Sequence, residues 1–326
     1  MKKIVTAGLA GALVLFLAAC GDDDGGGATA EGDGGYEVVY VQGVTGNPFF
    51  TSVTCGAEAA AADLGVDFSY QGGKDYSAEA QTPVLQAVIA QQPDGIIVSP
   101  MAGEAMMPTL TEAQSAGIEL VFVDTTAEDQ SMAASFVASD NVEGGRFAAE
   151  QTAELLGGSG KVLVLGATPG ISTTDARVEG FVETMESEYP DIEVLETQYS
   201  GSTPAGATDK LSAVLSANPD LAAVFAVSTQ EVEGAIVALE QADAVGTVQL
   251  VGFDTSDPIV EAIEAGSVQG VVVQKPLDMG RQAMEQMVKA LDGEATEAQI
   301  ETDYVFLTQE TLGDEDVTQY IYRNEC

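Results

Sequence analysis

The chain has 326 residues, 45% of them hydrophobic, with 11 basic against 52 acidic side chains and a formal net charge of −41. Scattered lysines and arginines on so acidic a chain exclude binding to nucleic acid backbones, and the complete absence of histidine removes Ser-His-Asp and Cys-His catalysis, histidine metal sites and the usual near-neutral proton shuttle. No metal or cofactor is expected, the length suffices for one or two sizeable cores, and the acid reads as solubility rather than as a recognition surface.

Lys2 and Lys3 precede an apolar run from Ile4 to Ala19, too short to span a bilayer comfortably but right for the core of an export signal. It ends in Leu17-Ala18-Ala19-Cys20, which resembles the bacterial lipobox. That resemblance implies a signal segment over 1–20 with Cys20 as the lipidated residue; an uncleaved anchor is the alternative, and both place the body of the chain outside the cytoplasm. Residues 21–35, GDDDGGGATAEGDGG, hold no apolar side chain larger than alanine and read as a flexible tether. Its reach is ~20–25 Å on average.

Next comes the stretch around which the chain is organised. Val38 to Val41 is an apolar run of strand length. It gives way to Gly43 and Gly46, then to Asn47-Pro48-Phe49-Phe50, where a helix running from about Thr51 to Leu64 opens. Such a strand delivers polar and aromatic residues to the carboxyl edge of a parallel sheet, where open α/β sheets bind ligands.

Further along, the pattern is duplicated. Leu85 to Asp94 and Leu211 to Asp220 are helices closing in Pro-Asp, followed by buried strands that end at Ser99 and Ser228. Upstream strands begin 55 and 58 residues before Pro93 and Pro219, at Val38 and Lys161, and downstream strands end in Asp124 and Asp254, 30 and 34 residues after Asp94 and Asp220. Two similar halves of alternating strands and helices predict an α/β fold of two doubly wound parallel-sheet, Rossmann-like lobes, with a ligand cleft between their strand ends.

Gly46-Asn47-Pro48-Phe49-Phe50, Ala138-Ser139-Asp140-Asn141 with Gly144-Gly145, Arg177 before Glu179-Gly180-Phe181, Ala223 to Ala226, Val251 to Asp254, and Gln274 before Pro276 stand in the order found in ribose-type sugar-binding proteins of ABC transporters. The chain from about Tyr36 to Thr302 therefore resembles the type I periplasmic binding protein family. The resemblance implies a three-stranded hinge joining one lobe of 36–138 plus 275–301 to another of 139–274 plus 302–326, with Gln274 at a crossing strand. It also implies a lipid-anchored, extracytoplasmic, monomeric receptor that closes on a small neutral sugar or polyol and presents it to a membrane permease.

By the same resemblance Asn47, Asp124, Arg177, Asp254 and Gln274 match hydroxyl-binding positions, and Phe49 and Phe50 match rings that cover the sugar. Each has a structural alternative: helix caps for the aspartates, a turn for Asn47, core packing for the rings. Arg177, among Thr173, Thr174 and Asp175, has no apolar flank to cover and reads as a ligand contact. Ser99 and Ser228 stand where the ribose proteins carry asparagine. Ser202, or Tyr199 as the nearest aromatic, stands where they carry a third ring; a larger sugar, a polyol or a related neutral metabolite fits as well as ribose.

Cys55 and Cys326 remain after Cys20; in an oxidising compartment they suggest a disulfide, with a buried free thiol as the alternative. Gly157 to Lys161 mimics a phosphate loop without its spacing, and Gly166 to Gly170 a dinucleotide loop without its glycines; both read as turns. Two other functions share these features: a sensory receptor that hands its closed form to a membrane partner, and a carboxylate-based glycosidase.

Overall fold

The computed structural model describes residues 35–326, so the export signal, Cys20 and all but the last residue of the tether lie outside the described residues. Strands and helices alternate from β1 (Glu37–Val44), α1 (Pro48–Leu64), β2 (Asp67–Gly73), α2 (Ala78–Ile89), β3 (Gly95–Val98), α3 (Gly103–Ser115) and β4 (Glu119–Val123) to β5 (Ser135–Ser139). The second series is α4 (Asn141–Leu156), β6 (Gly160–Gly166), α5 (Ser172–Glu188), β7 (Ile192–Val194), β8 (Gln198–Tyr199), α6 (Pro204–Ala217), β9 (Ala223–Ala226), α7 (Thr229–Gln241), β10 (Gln249–Phe253), α8 (Asp257–Glu264) and β11 (Gly270–Gln274). Then follow α9 (Pro276–Leu291), β12 (Gln299–Thr302), β13 (Tyr304–Leu307) and the short α10 (Glu315–Thr318).

Two sheets result. One runs β12-β5-β4-β3-β1-β2, parallel throughout; the other runs β13-β11-β10-β9-β6-β7, parallel except for β13, with β8 extending the β6 edge beyond β7. Helices cover both faces, which is why strands such as Gly95–Val98 and Ala223–Ala226 are buried along their whole length. The chain reverses direction across the first sheet between β1 and β3, and across the second between β6 and β9. Crevices open at the carboxyl ends of such switch points.

The Pro-Asp turns do the same task in both lobes. Asp94 accepts from the backbone N–H of Glu37 at 2.8 Å, and Asp220 pairs with Lys161 at 3.0 Å, so each turn pins the start of its lobe's first strand. Helix crossings match too. A Cβ on Gly280 of α9 would stand 1.9 Å from the Val53 carbonyl of α1, and one on Gly180 of α5 would stand 2.0 Å from the Val142 carbonyl of α4. Only glycine allows these backbones to touch.

The chain passes between the sheets three times, after β5, after β11 and after β12. The carboxyl terminus departs from the expected grouping of 302–326 with the second lobe. Beyond α10 it touches both: the Tyr322 N–H donates to Thr255 Oγ1 of the second lobe at 2.9 Å, whereas the Arg323 N–H donates to Ser52 Oγ of the first at 2.7 Å and Cys326 is bridged to Cys55.

Candidate functional site

Between the lobes lies a small, partly enclosed cavity. It is lined from the first lobe by Asn47, Phe49, Phe50, Tyr76, Met101, Asp124 and Thr125, and from the second chiefly by Thr173, Thr174, Arg177, Ser228, Gln230 and Asp254, with Gln274 at a crossing strand.

In the first lobe, Pro48 opens α1 and Asn47 caps it, its Oδ1 accepting from the N–H of Phe49 at 2.9 Å and of Phe50 at 3.4 Å. Its oxygen is thus engaged as a helix cap, and its Nδ2 has no partner among the described residues. Phe49 and Phe50 meet edge to face with centroids 5.3 Å apart, and Tyr76 lies 6.2 Å beyond Phe50. They form an apolar wall.

Asp124 follows β4 with a positive φ of 67°, and its N–H donates to the Val137 carbonyl at 2.8 Å. It caps no helix. The residue is 5% exposed, and its carboxylate has no hydrogen-bond partner among the described residues. Burial, together with the charge of Asp254, pushes it up to about 7 although Arg177 pulls the other way. Beside it Thr125 is 1% exposed with Oγ1 unpartnered.

The second lobe is wired differently. Arg177, on α5 and 2% exposed, lies with its guanidinium carbon 3.8 Å over the Phe253 ring; Nε donates to Asn141 Oδ1 at 2.8 Å, and Nη1 to the Val227 carbonyl at 2.9 Å and to Asp254 Oδ2 at 3.3 Å. Nη2 has no partner among the described residues. Asp254 Oδ1 accepts from Gln274 Nε2 at 2.9 Å and from Tyr322 Oη at 2.8 Å. Gln274 is therefore held by its nitrogen, and its buried Oε1 has no partner.

Ser228 donates its hydroxyl hydrogen to Glu231, which also receives Ser200, so toward the cavity Ser228 can only accept. Glu231, fully buried, is raised to about 6 by burial, with the two serine hydroxyls opposing the shift. Across the cleft the lobes touch: Gln230 Nε2 donates to Tyr76 Oη at 3.3 Å, and the Thr126 N–H to Ser172 Oγ at 3.3 Å.

Of the nine candidates, eight line this cavity and Ser99 does not. Its side chain is wholly buried beneath the sheet edge, sharing a 2.9 Å hydrogen bond with Tyr40 Oη. Replacing an amide by a short hydroxyl leaves a group that cannot reach past Met101, whose side chain lines the cavity instead. Ser202 lines it as expected, whereas Tyr199 is 41% exposed and lies outside. Ala167 and Ile171 supply apolar lining on the second lobe's side.

Sequence reasoning missed Tyr76, Thr125, Gln230 and Tyr322. Thr125 had the signal of following Asp124 at a strand end; the others sit in loops or at helix starts with no local pattern.

The chain matches the family model described as a periplasmic binding protein domain over residues 38–295. It is 28% identical over 263 residues to the ribose import binding protein of Bacillus subtilis, covering 81% of this chain and 84% of that one. It is 26% identical over 244 residues to the D-apiose import binding protein of Actinobacillus succinogenes, covering 74% and 78%. Among solved structures, an ABC transporter solute-binding protein from Agrobacterium vitis bound to alpha-D-tagatopyranose is similar with a TM-score of 0.86 at 34% identity, over 88% of this chain and 99% of that one. Another, from Agrobacterium radiobacter in complex with D-arabinose, has a TM-score of 0.84 at 25% identity over 88% and 99%. Two lobes, three crossings and a polar cavity at the facing strand ends agree with these matches: the chain belongs to the periplasmic binding protein family.

Proposed function

We propose that this protein is the extracytoplasmic solute-binding component of an ABC importer, capturing one neutral sugar or polyol between its lobes and delivering it to a membrane permease. The observation that carries this reading is the set of polar groups with unused hydrogen-bonding capacity among the residues that line one small cavity. Asp124, Gln274 Oε1 and Ser228 Oγ can accept there, while Arg177 Nη2 and Asn47 Nδ2 can donate. A hydroxyl does both at once, so a small polyhydroxylated molecule satisfies all five where an anion or an apolar ligand does not. Phe49 and Phe50 supply a wall for its C–H face.

Two carboxylates and one guanidinium lie in the cavity, and Asp254 is already engaged by Arg177, Gln274 and Tyr322. That engagement leaves no free nucleophile–acid pair and argues for binding without chemistry. Closure brings Asp124 of one lobe within reach of a ligand held by Arg177 and Asp254 of the other, so ligand binding shifts the equilibrium between open and closed forms.

Thermal-shift screening of residues 36–326 against D-ribose, D-tagatose, D-arabinose, hexoses and inositols tests the reading. A ligand at 100 times its Kd adds ~2.7 kcal/mol of apparent stability; stabilisation by none of these, or recovery of an altered sugar, overturns it. We further propose that Cys20 carries the lipid anchor and that the protein acts as a monomer. Release of a Cys20→Ala variant into the soluble fraction supports the anchor, and unchanged membrane retention counts against it.

A further inference from the structure

The last seven residues form a strap whose contacts alternate between the lobes. Tyr320 lies under the ammonium of Lys275, 4.9 Å from its ring centroid, just beyond the second crossing. Tyr322, 4% exposed, packs edge-on against Phe49 of the first lobe at 5.5 Å while its N–H donates to Thr255 Oγ1 of the second at 2.9 Å. Arg323 then bonds Ser52 in the first lobe, Asn324 reaches Asp257 in the second at 3.0 Å, and Cys326 is bridged to Cys55 in the first.

Tyr322 lies behind the cavity and does not line it, yet its hydroxyl joins the two groups that set the second lobe's side of the site. It donates to Asp254 Oδ1 at 2.8 Å and accepts from the Gln274 N–H at 3.1 Å. With Oδ1 so occupied, Asp254 is fixed with Oδ2 toward Arg177, and the Gln274 amide is fixed with Nε2 on Asp254, which leaves its buried Oε1 unpartnered. We propose that the segment 320–326 is a covalently fastened fourth connection between the lobes, and that Tyr322 is a positioning residue that holds Asp254 and the hinge residue Gln274 in their ligand-binding geometry. Its effect on affinity rests on the cleft being the ligand site.

The test uses the full extracytoplasmic body, with Tyr322→Phe keeping the ring on Phe49 and removing only the hydroxyl. Two readouts separate this inference from the proposed function. First, in ligand-free protein, hydrogen exchange at the Gln274 amide rises at least fivefold in Tyr322→Phe and in Cys326→Ser beyond any rise at the Val224 and Val251 amides in the core of the same sheet; no rise at Gln274 beyond that of the core amides in both variants overturns the strap's role. Second, the Kd for whichever of D-ribose, D-tagatose or D-arabinose binds wild type rises about tenfold in Tyr322→Phe, because Asp254 and Gln274 are no longer held in their binding geometry. A Kd equal to wild type overturns positioning. If none of the three binds wild type, the cleft reading fails, while the exchange measurement still decides the strap.

Discussion

Asp124-Thr125 and Asp254-Thr255 occupy equivalent places in the two lobes. Each aspartate ends its strand at a positive φ, 67° and 72°, and donates its N–H at 2.8 Å to a carbonyl of the neighbouring strand, Val137 or Val272. Their side chains differ. Asp254 accepts from Arg177, Gln274 and Tyr322, and Thr255 Oγ1 accepts from the Tyr322 N–H, whereas Asp124 and Thr125 Oγ1 have no partner among the described residues. The second lobe is a finished surface and the first is an unfinished one. A buried carboxylate without partners is costly, so closing the empty cleft is unfavourable until a ligand brings donors to Asp124.

The largest expected effect comes from breaking the finished side. Arg177→Ala removes the cation over Phe253 and leaves Asp254 buried without its ion pair, which costs ~3–5 kcal/mol of stability. Ligand binding disappears with it. Urea denaturation and calorimetry measure both; a variant of wild-type stability that still binds would show that the guanidinium is surplus. For the same reason Asp254→Ala strips Arg177 of its partner and lowers stability as well as binding.

Asp124→Asn sharpens the contrast, because it acts with opposite sign on the empty and the loaded protein. The neutral amide is easier to bury unpartnered, so the ligand-free protein closes more readily and its unfolding midpoint holds or rises. Affinity falls by ~10- to 100-fold, the loss of charge-assisted hydrogen bonds worth ~1.5–3 kcal/mol. Loss of stability in ligand-free Asp124→Asn would mean that the carboxylate is satisfied after all.

The same asymmetry gives a pH dependence. In the closed form Asp124 is raised to about 7 by burial and by Asp254, against ~3.9 for an exposed aspartate. A carboxyl with a raised value holds its proton longer in the closed state, so the closed empty form is most favoured below ~4 and loses ground as pH rises toward about 7. X-ray scattering on ligand-free protein should show expansion from pH 5 to pH 8, reduced in Asp124→Asn; identical behaviour of the two proteins would remove Asp124 as the cause.

The fold was legible because it is written in periodicities that repeat: strand-length apolar runs, Pro-Asp turns and terminal aspartates at matched spacing in two halves; the family was legible only in short motifs that resemble those of the sugar-binding proteins in the same order. Strand ends identify Asp124 and Asp254 as residues at the carboxyl edge, while Gln274 and the ligand-binding role of all three came from the resemblance to the sugar-binding proteins. What such positions do not tell is whether a side chain is already spoken for. Ser99 ends its strand as Ser228 does, but Tyr40 from the neighbouring strand engages it and Met101 takes the cavity wall. Tyr322 lies 68 residues from its partner Asp254, in a tail with no secondary-structure period, and only the folded chain brings them together.

The smallest expected effect tests the seam between the two sides. Gln230 of the finished lobe donates to Tyr76 of the unfinished one at 3.3 Å, the long end for a hydrogen bond, and the contact forms only when the lobes meet. Tyr76→Phe keeps the ring against Phe50 and removes one neutral bond, worth ~0.5–1 kcal/mol or roughly a two- to fivefold rise in Kd. Because the bond exists in the closed form, the change should fall on ligand release, with the association rate unaltered in stopped-flow measurements. A loss far above tenfold would instead make Tyr76 a direct ligand contact, and the first lobe would then hold more of the ligand than Asp124 and two rings can account for.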